Sequence, residues 1–157
     1  MHVIIKLAKQ LKMALVEIEY YFAPIWRLKK SGAAIGKNVF IGLHTYVELE
    51  NAHLLTIEDD AVLSAHTKIV LHDSSLNNTL GEAIVFKRVV IKKRAYIGAN
   101  SLLMPGSVVG EKTIVGANSL VTGVLAPNSV YVGQPAKRIS SLHELAQKRA
   151  KQKKTSL

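Results

Sequence analysis

From Ile91 onward an aliphatic residue returns every six positions: Ile91, Ile97, Leu103, Val109, Val115 and Val121. Four residues after each stand Ala95, Ser101, Ser107, Thr113, Ser119 and Leu125, small in five of the six places. Gly98, Gly110 and Gly116 directly follow their aliphatic partners. The stretch Ile97-Gly98-Ala99-Asn100-Ser101-Leu102 returns eighteen residues later as Val115-Gly116-Ala117-Asn118-Ser119-Leu120. Ile35, Ile41 and Val47, then Ile57, Leu63 and Ile69, keep the same rhythm. A helix repeats every ~3.6 residues and a half-buried strand alternates, so a period of six belongs to neither. Short strands joined by tight corners satisfy it, with the aliphatic and small positions inward. Three such units close one triangular coil, and coils stack at about 4.8 Å, the spacing of neighbouring strands. Each coil buries its faces only against the next, which predicts an all-β solenoid with ends that need covering.

The flanks read as those covers. Ile4, Leu7, Leu11, Leu15, Ile18 and Phe22 form one stripe at helical spacing, and Pro24 ends it. This predicts an amphipathic N-terminal helix over 3–22 that packs on the first coil or a partner; Lys6, Lys9 and Lys12 lie off the stripe, as in a membrane-surface helix. Residues 141–154 read as a second, very polar helix. The expected organisation is a helical cap at 1–34, a repeat body at 35–139 and a basic helix or tail at 140–157.

Charge follows the same division. The 157 residues carry 21 Lys+Arg against 11 Asp+Glu, yet residues 35–136 hold eight of each sign. The excess sits at the two ends, whereas a nucleic-acid-binding domain spreads basic groups over a folded face. Nucleic acid is therefore not expected as a partner, and the termini are left as the place for peripheral membrane-surface contact. The chain has no cysteine, so it has no thiolate zinc site and no cysteine nucleophile. No apolar run approaches the ~20 residues of a spanning helix, and lysines interrupt the N-terminus. A soluble cytoplasmic protein without a signal peptide is the expectation.

The rhythm breaks twice. Val47 to Ile57 spans ten residues, and Ile69 to Ile91 spans twenty-two, leaving an inserted loop at roughly 75–90. A loop of that length inside a compact solenoid is usually either functional or disordered. His72-Asp73 stands immediately before it. Histidines at corners have a conformational explanation, because corners favour a left-handed backbone that Gly, Asn, Asp and His tolerate. Asn38, His44, Asp60, His66, His72, Asn100, Gly106 and Asn118 share that corner position. His44 and His66 are assigned to conformation. His72 abuts the insertion and is the site candidate, with Asp73 as its orienter and Glu50, one coil earlier, as the other possible partner.

This pattern resembles the hexapeptide-repeat acetyltransferases, of the sugar and polysaccharide O-acetyltransferase type, over roughly residues 35–139. The resemblance implies a left-handed parallel β-helix; spacing alone does not show handedness. It implies direct acetyl transfer from acetyl-CoA to a saccharide hydroxyl, with His72 as catalytic base and Asp73 beside it, and no metal. By the closing motif Pro127-Asn128-Ser129-Val130 and Gly133-Gln134-Pro135-Ala136-Lys137, it implies that Ala99 and Ala117 hold the pantetheine arm through backbone N–H groups. Thr122 matches a position along the same groove, and Lys137 with Arg138 meets the CoA phosphates. Gly123 stands where the family commonly has Lys, which removes one phosphate contact. A homotrimer with sites between protomers is implied as well. The alternatives are an N-acetyltransferase acting on an amino sugar and a γ-class carbonic-anhydrase-like zinc enzyme using His44, His66 and His72.

Overall fold

The computed structural model describes residues 25–155, so the helix expected over 3–22 lies outside the described residues. A short helix, α1 (Ile25–Lys30), comes first, and its Leu28 is fully buried in the core. The coils follow. The first comprises β1 (Ala34–Ile35), β2 (Phe40–Ile41) and β3 (Tyr46–Val47), and the second β4 (Leu55–Ile57), β5 (Val62–Leu63) and β6 (Lys68–Ile69). An excursion then carries β7 (His72–Asp73), α2 (Ser75–Leu80) and β8 (Val85–Phe86). The third coil is β9 (Val89–Ile91), β10 (Tyr96–Ile97) and β11 (Leu102–Leu103); the fourth is β12 (Val108–Val109), β13 (Ile114–Val115) and β14 (Leu120–Val121). Strands β15 (Val124–Leu125), β16 (Ser129–Val132) and β17 (Lys137–Ser141) close the stack, and α3 (Leu142–Thr155) ends it.

Successive strands visit three parallel sheets in rotation. Strands β1, β4, β9, β12 and β15 make one face; β2, β5, β10, β13 and β16 the second; β3, β6, β11 and β14 the third. The sixfold rhythm sets the register: Ile97 lies between Leu63 and Val115, and Leu103 between Ile69 and Val121. All six side chains are fully buried, each contributing roughly 1.5–3 kcal/mol of apolar burial. The small inward positions have a polar task as well. The buried hydroxyls of Thr67, Ser107 and Ser119 donate to the carbonyls of Ser64, Met104 and Gly116, three residues back, at 2.7, 2.6 and 2.7 Å. Each gives a turn carbonyl a hydrogen bond that an aliphatic side chain could not supply.

The hexad glycines are required by crowding. A Cβ on Gly98 would stand 2.4 Å from the Ala117 nitrogen in the next coil. At the corners, Asn38, His44, Asp60, His66, Asn100, Gly106 and Asn118 have the expected positive φ. Arg94 and Lys112 adopt it too, at 56° and 52°, although neither residue type favours it. Coil geometry, not residue preference, imposes the conformation there. His72 is the exception among the expected corner residues: it is absent from the positive-φ set and sits in extended β7.

The column is closed above by β17, which pairs antiparallel with β16. Helix α3 starts on a capping box, in which the Ser141 N–H and hydroxyl donate to Glu144 Oε2 at 2.7 and 2.9 Å, and the Glu144 N–H donates to Ser141 Oγ.

Candidate active site

Both breaks in the rhythm lead to one place. The longer insertion is structured: β8 returns antiparallel to β7, pairing His72 with Phe86 and Asp73 with Val85. Between them α2 ends on Gly81, whose φ of 72° terminates the helix. The Lys87 N–H donates to the Leu71 carbonyl, tying the returning arm to the coil. The shorter insertion folds into a 3-10 helix, Leu49–Leu54, directly after β3. The two flank a pocket of about 310 Å³ lined by Tyr46, Val47, Glu48, Leu49, Glu50, Asn51 and His72.

Within it, His72 Nδ1 lies 2.8 Å from Glu48 Oε2. The Glu48 side chain is only 10% exposed, against 36% for His72. The same oxygen accepts the Leu71 N–H at 3.2 Å and the Asn51 amide at 3.4 Å, which fixes the carboxylate. An ionised Glu48 can only accept, so the imidazole proton belongs on Nδ1 and the lone pair on Nε2. The Phe86 ring packs 5.8 Å from the imidazole, tilted by 32°.

Asp73, the expected orienter, makes its hydrogen bond to the following helix and not to His72. Asp73 Oδ1 accepts the Ser75 N–H at 2.9 Å, an Asx turn that starts α2. That hydrogen bond, followed by one from the Ser75 side chain, holds the Asp73 carboxyl below its ordinary value. Its chain direction explains the difference: adjacent residues of a strand point to opposite sides. Glu50, the other expected partner, lies exposed in the 3-10 helix and lines the pocket without a bond to His72. Glu48 was missed, although it directly follows the last aliphatic residue before the four-residue break.

The residues expected to hold the acyl donor fall into two groups. Ala99 and Ala117 occupy one corner on successive coils, linked by the Asn118 N–H to the Ala99 carbonyl at 2.8 Å. The closing segment lies on the next level: the Gly133 N–H donates to Ser119 Oγ and the Ala136 N–H to the Leu120 carbonyl. Lys137 follows at the start of β17 and is exposed; Arg138 Nε donates to Ser129 Oγ at 3.1 Å. Thr122 instead follows β14, in the column above Val70 and Met104, on the same corner as His72. Within one chain, therefore, the structure does not bring His72 to Ala99 and Ala117, which stand at a different corner.

His44 and His66 stack with ring centroids 4.6 Å apart and planes 3° from parallel. Face-to-face imidazoles direct their nitrogen lone pairs alongside each other, not to a common point. Among the described residues, no group of three metal-binding side chains converges.

Residues 88–123 match the family described as bacterial transferase hexapeptide (six repeats). The chain carries the bacterial transferase hexapeptide repeat. This hexapeptide-repeat chain is similar to WbbJ of Escherichia coli strain K12, named for O-acetyl transfer in lipopolysaccharide biosynthesis, at 30% identity over 110 residues, covering 63% of this chain and 56% of WbbJ. It is similar to the galactoside O-acetyltransferase of the same strain at 25% identity over 116 residues, covering 69% of this chain and 57% of that protein. It thus spans a little over half the length of these relatives. Among solved structures, AntD of Bacillus cereus, an N-acyltransferase in complex with dTDP and coenzyme A, matches with a TM-score of 0.61 and 25% identity, covering 77% of this chain and 81% of AntD.

Proposed function

We propose that this chain is an acetyl-CoA-dependent O-acetyltransferase acting on a saccharide hydroxyl, with His72 as general base and Glu48 as its positioning residue. The observation that carries the reading is the Glu48–His72 pair at the meeting point of the two insertions. His72 Nε2 takes the acceptor's hydroxyl proton as that oxygen attacks the thioester carbonyl. The new C–O bond forms, the C–S bond breaks, and the imidazolium returns the proton to the leaving thiolate. Glu48 holds the ring and balances its transient charge.

The donor side is read from the same resemblance. Acetyl-CoA is a substrate whose pantetheine arm lies along Ala99 and Ala117, with Lys137 and Arg138 at the phosphates, while Thr122 stands on the His72 corner and meets the donor from the neighbouring copy. The different corners of His72 and Ala117 support a site shared between neighbouring copies, as does the exposure of Phe40, Tyr96 and Val124 on the outer sheet faces. A trimer of left-handed parallel β-helices satisfies both, built on the repeat body at 35–139. The O-acetyltransferase relatives align over 63% and 69% of the chain, which supports a hydroxyl acceptor. AntD, an N-acyltransferase, keeps the amine acceptor as the second reading.

Labelled acetyl-CoA offered with a galactoside and with an amino sugar tests both. Labelled, base-labile ester on the galactoside is the expected product, and a stable amide would decide for the amine. His72→Ala should lower turnover by about 10²–10⁴-fold. Unchanged turnover removes His72 as the base.

A further inference from the structure

Helix α3 is the most strongly charged surface of the described chain, and acyl transfer does not use it. Its sequence carries Lys148, Arg149, Lys151, Lys153 and Lys154 against one acid, Glu144. Glu144 is committed to the capping box at Ser141, so it neutralises none of them. Its first turn is tied to the body, where the Leu142 N–H donates to the Asn128 carbonyl. From Ala146 to Lys153 every residue is exposed. Lys148 with Lys151, and Arg149 with Lys153, are like-charged neighbours at helical spacing, an arrangement that disfavours the helix in water. Among the described residues, Lys148, Arg149 and Lys153 have no carboxylate partner.

We propose that α3 is an electrostatic contact for an anionic bilayer surface. Its cations surround the helix, and Leu142 and Leu145 are its only large apolar residues, so it adsorbs at the headgroups without inserting. A fluid anionic surface requires only exposed charge. Single-stranded nucleic acid is held by a basic groove with aromatic platforms, whereas the repeat body is neutral and α3 has no aromatic ring of the Phe, Tyr or Trp type. Among the described residues no helix is long and apolar enough to cross a membrane. Bound in this way, the column presents its last coil to the bilayer.

The test is co-sedimentation of the full chain with vesicles of phosphatidylcholine alone or mixed with phosphatidylglycerol. Binding should require phosphatidylglycerol and weaken as salt rises. Replacing Lys148, Arg149, Lys151 and Lys153 by Gln, which keeps helix propensity, should lower partitioning about fivefold per charge removed. Replacing the lysines by Arg should preserve it. Three results overturn the proposal: equal binding to neutral vesicles, undiminished binding by the Gln variant, or tighter binding to a short RNA than to anionic vesicles at matched salt. The assay needs no turnover, so its outcome is separate from that of the transferase reading.

Discussion

At the scale of the residue, Glu48 and Asp73 separate two tasks that adjacent carboxylates could share. Glu48 meets the imidazole, while Asp73 starts the helix of the excursion. Glu48→Gln should therefore reduce kcat by on the order of 10²-fold or more, because the amide no longer stabilises the imidazolium or fixes its tautomer. Asp73→Ala should spare kcat by comparison and accelerate hydrogen exchange in α2. Steady-state kinetics and exchange on both variants check the pair, and the reverse pattern would restore Asp73 as the orienter. His72 was legible in the sequence because it abuts an insertion. Glu48 was not, because a carboxylate directly after an inward position gives no sign of which coil it will face.

At the scale of the element, the hexad glycine is the most demanding position. Gly98→Ala puts a methyl group against the Ala117 backbone, where the nearest atom is not the movable end of a side chain. The expected loss is about 1–3 kcal/mol, read from denaturant midpoints. The corner ladders matter less and respond to pH. Glu58 accepts from Lys92 Nζ at 2.7 Å and from the Lys93 N–H at 2.9 Å. The Lys92 contact, with the Lys93 N–H, holds its carboxyl below the ordinary value against the opposing effect of burial. A folded value below the unfolded one gives stability that is present above the ordinary carboxylate range and is lost as pH falls through the lowered folded value. The side chain is 36% exposed, so solvent limits the contribution to roughly 0.2–1 kcal/mol. Glu58→Gln should flatten acid unfolding by that amount and leave stability below the folded value unchanged.

At the scale of the whole molecule, the separation of His72 from Ala117 makes the proposed site a property of the assembly. His72→Ala and Ala117→Trp chains should each be inactive, the second because the indole fills the donor's corner. Unfolded together and refolded, they should recover activity, since some interfaces then pair an intact His72 with an intact Ala117. Absence of recovery, with mixed assemblies shown by mass spectrometry, places the whole site within one chain.

The sequence by itself determined the coil, because a sixfold alternation of branched and small residues can be buried only by stacking identical turns. It also located the two insertions, since an interrupted rhythm is visible without coordinates. The tertiary structure alone decided what the insertions do. It folded one into a 3-10 helix and the other into a helix and a paired strand, then set Glu48 against His72 across twenty-four positions of chain. The left-handed corners at Arg94 and Lys112 were likewise imposed by neighbouring coils. Periodicity records which residues face inward. The partner of a side chain on the outer corner depends on the path of the intervening backbone, which local preference does not encode.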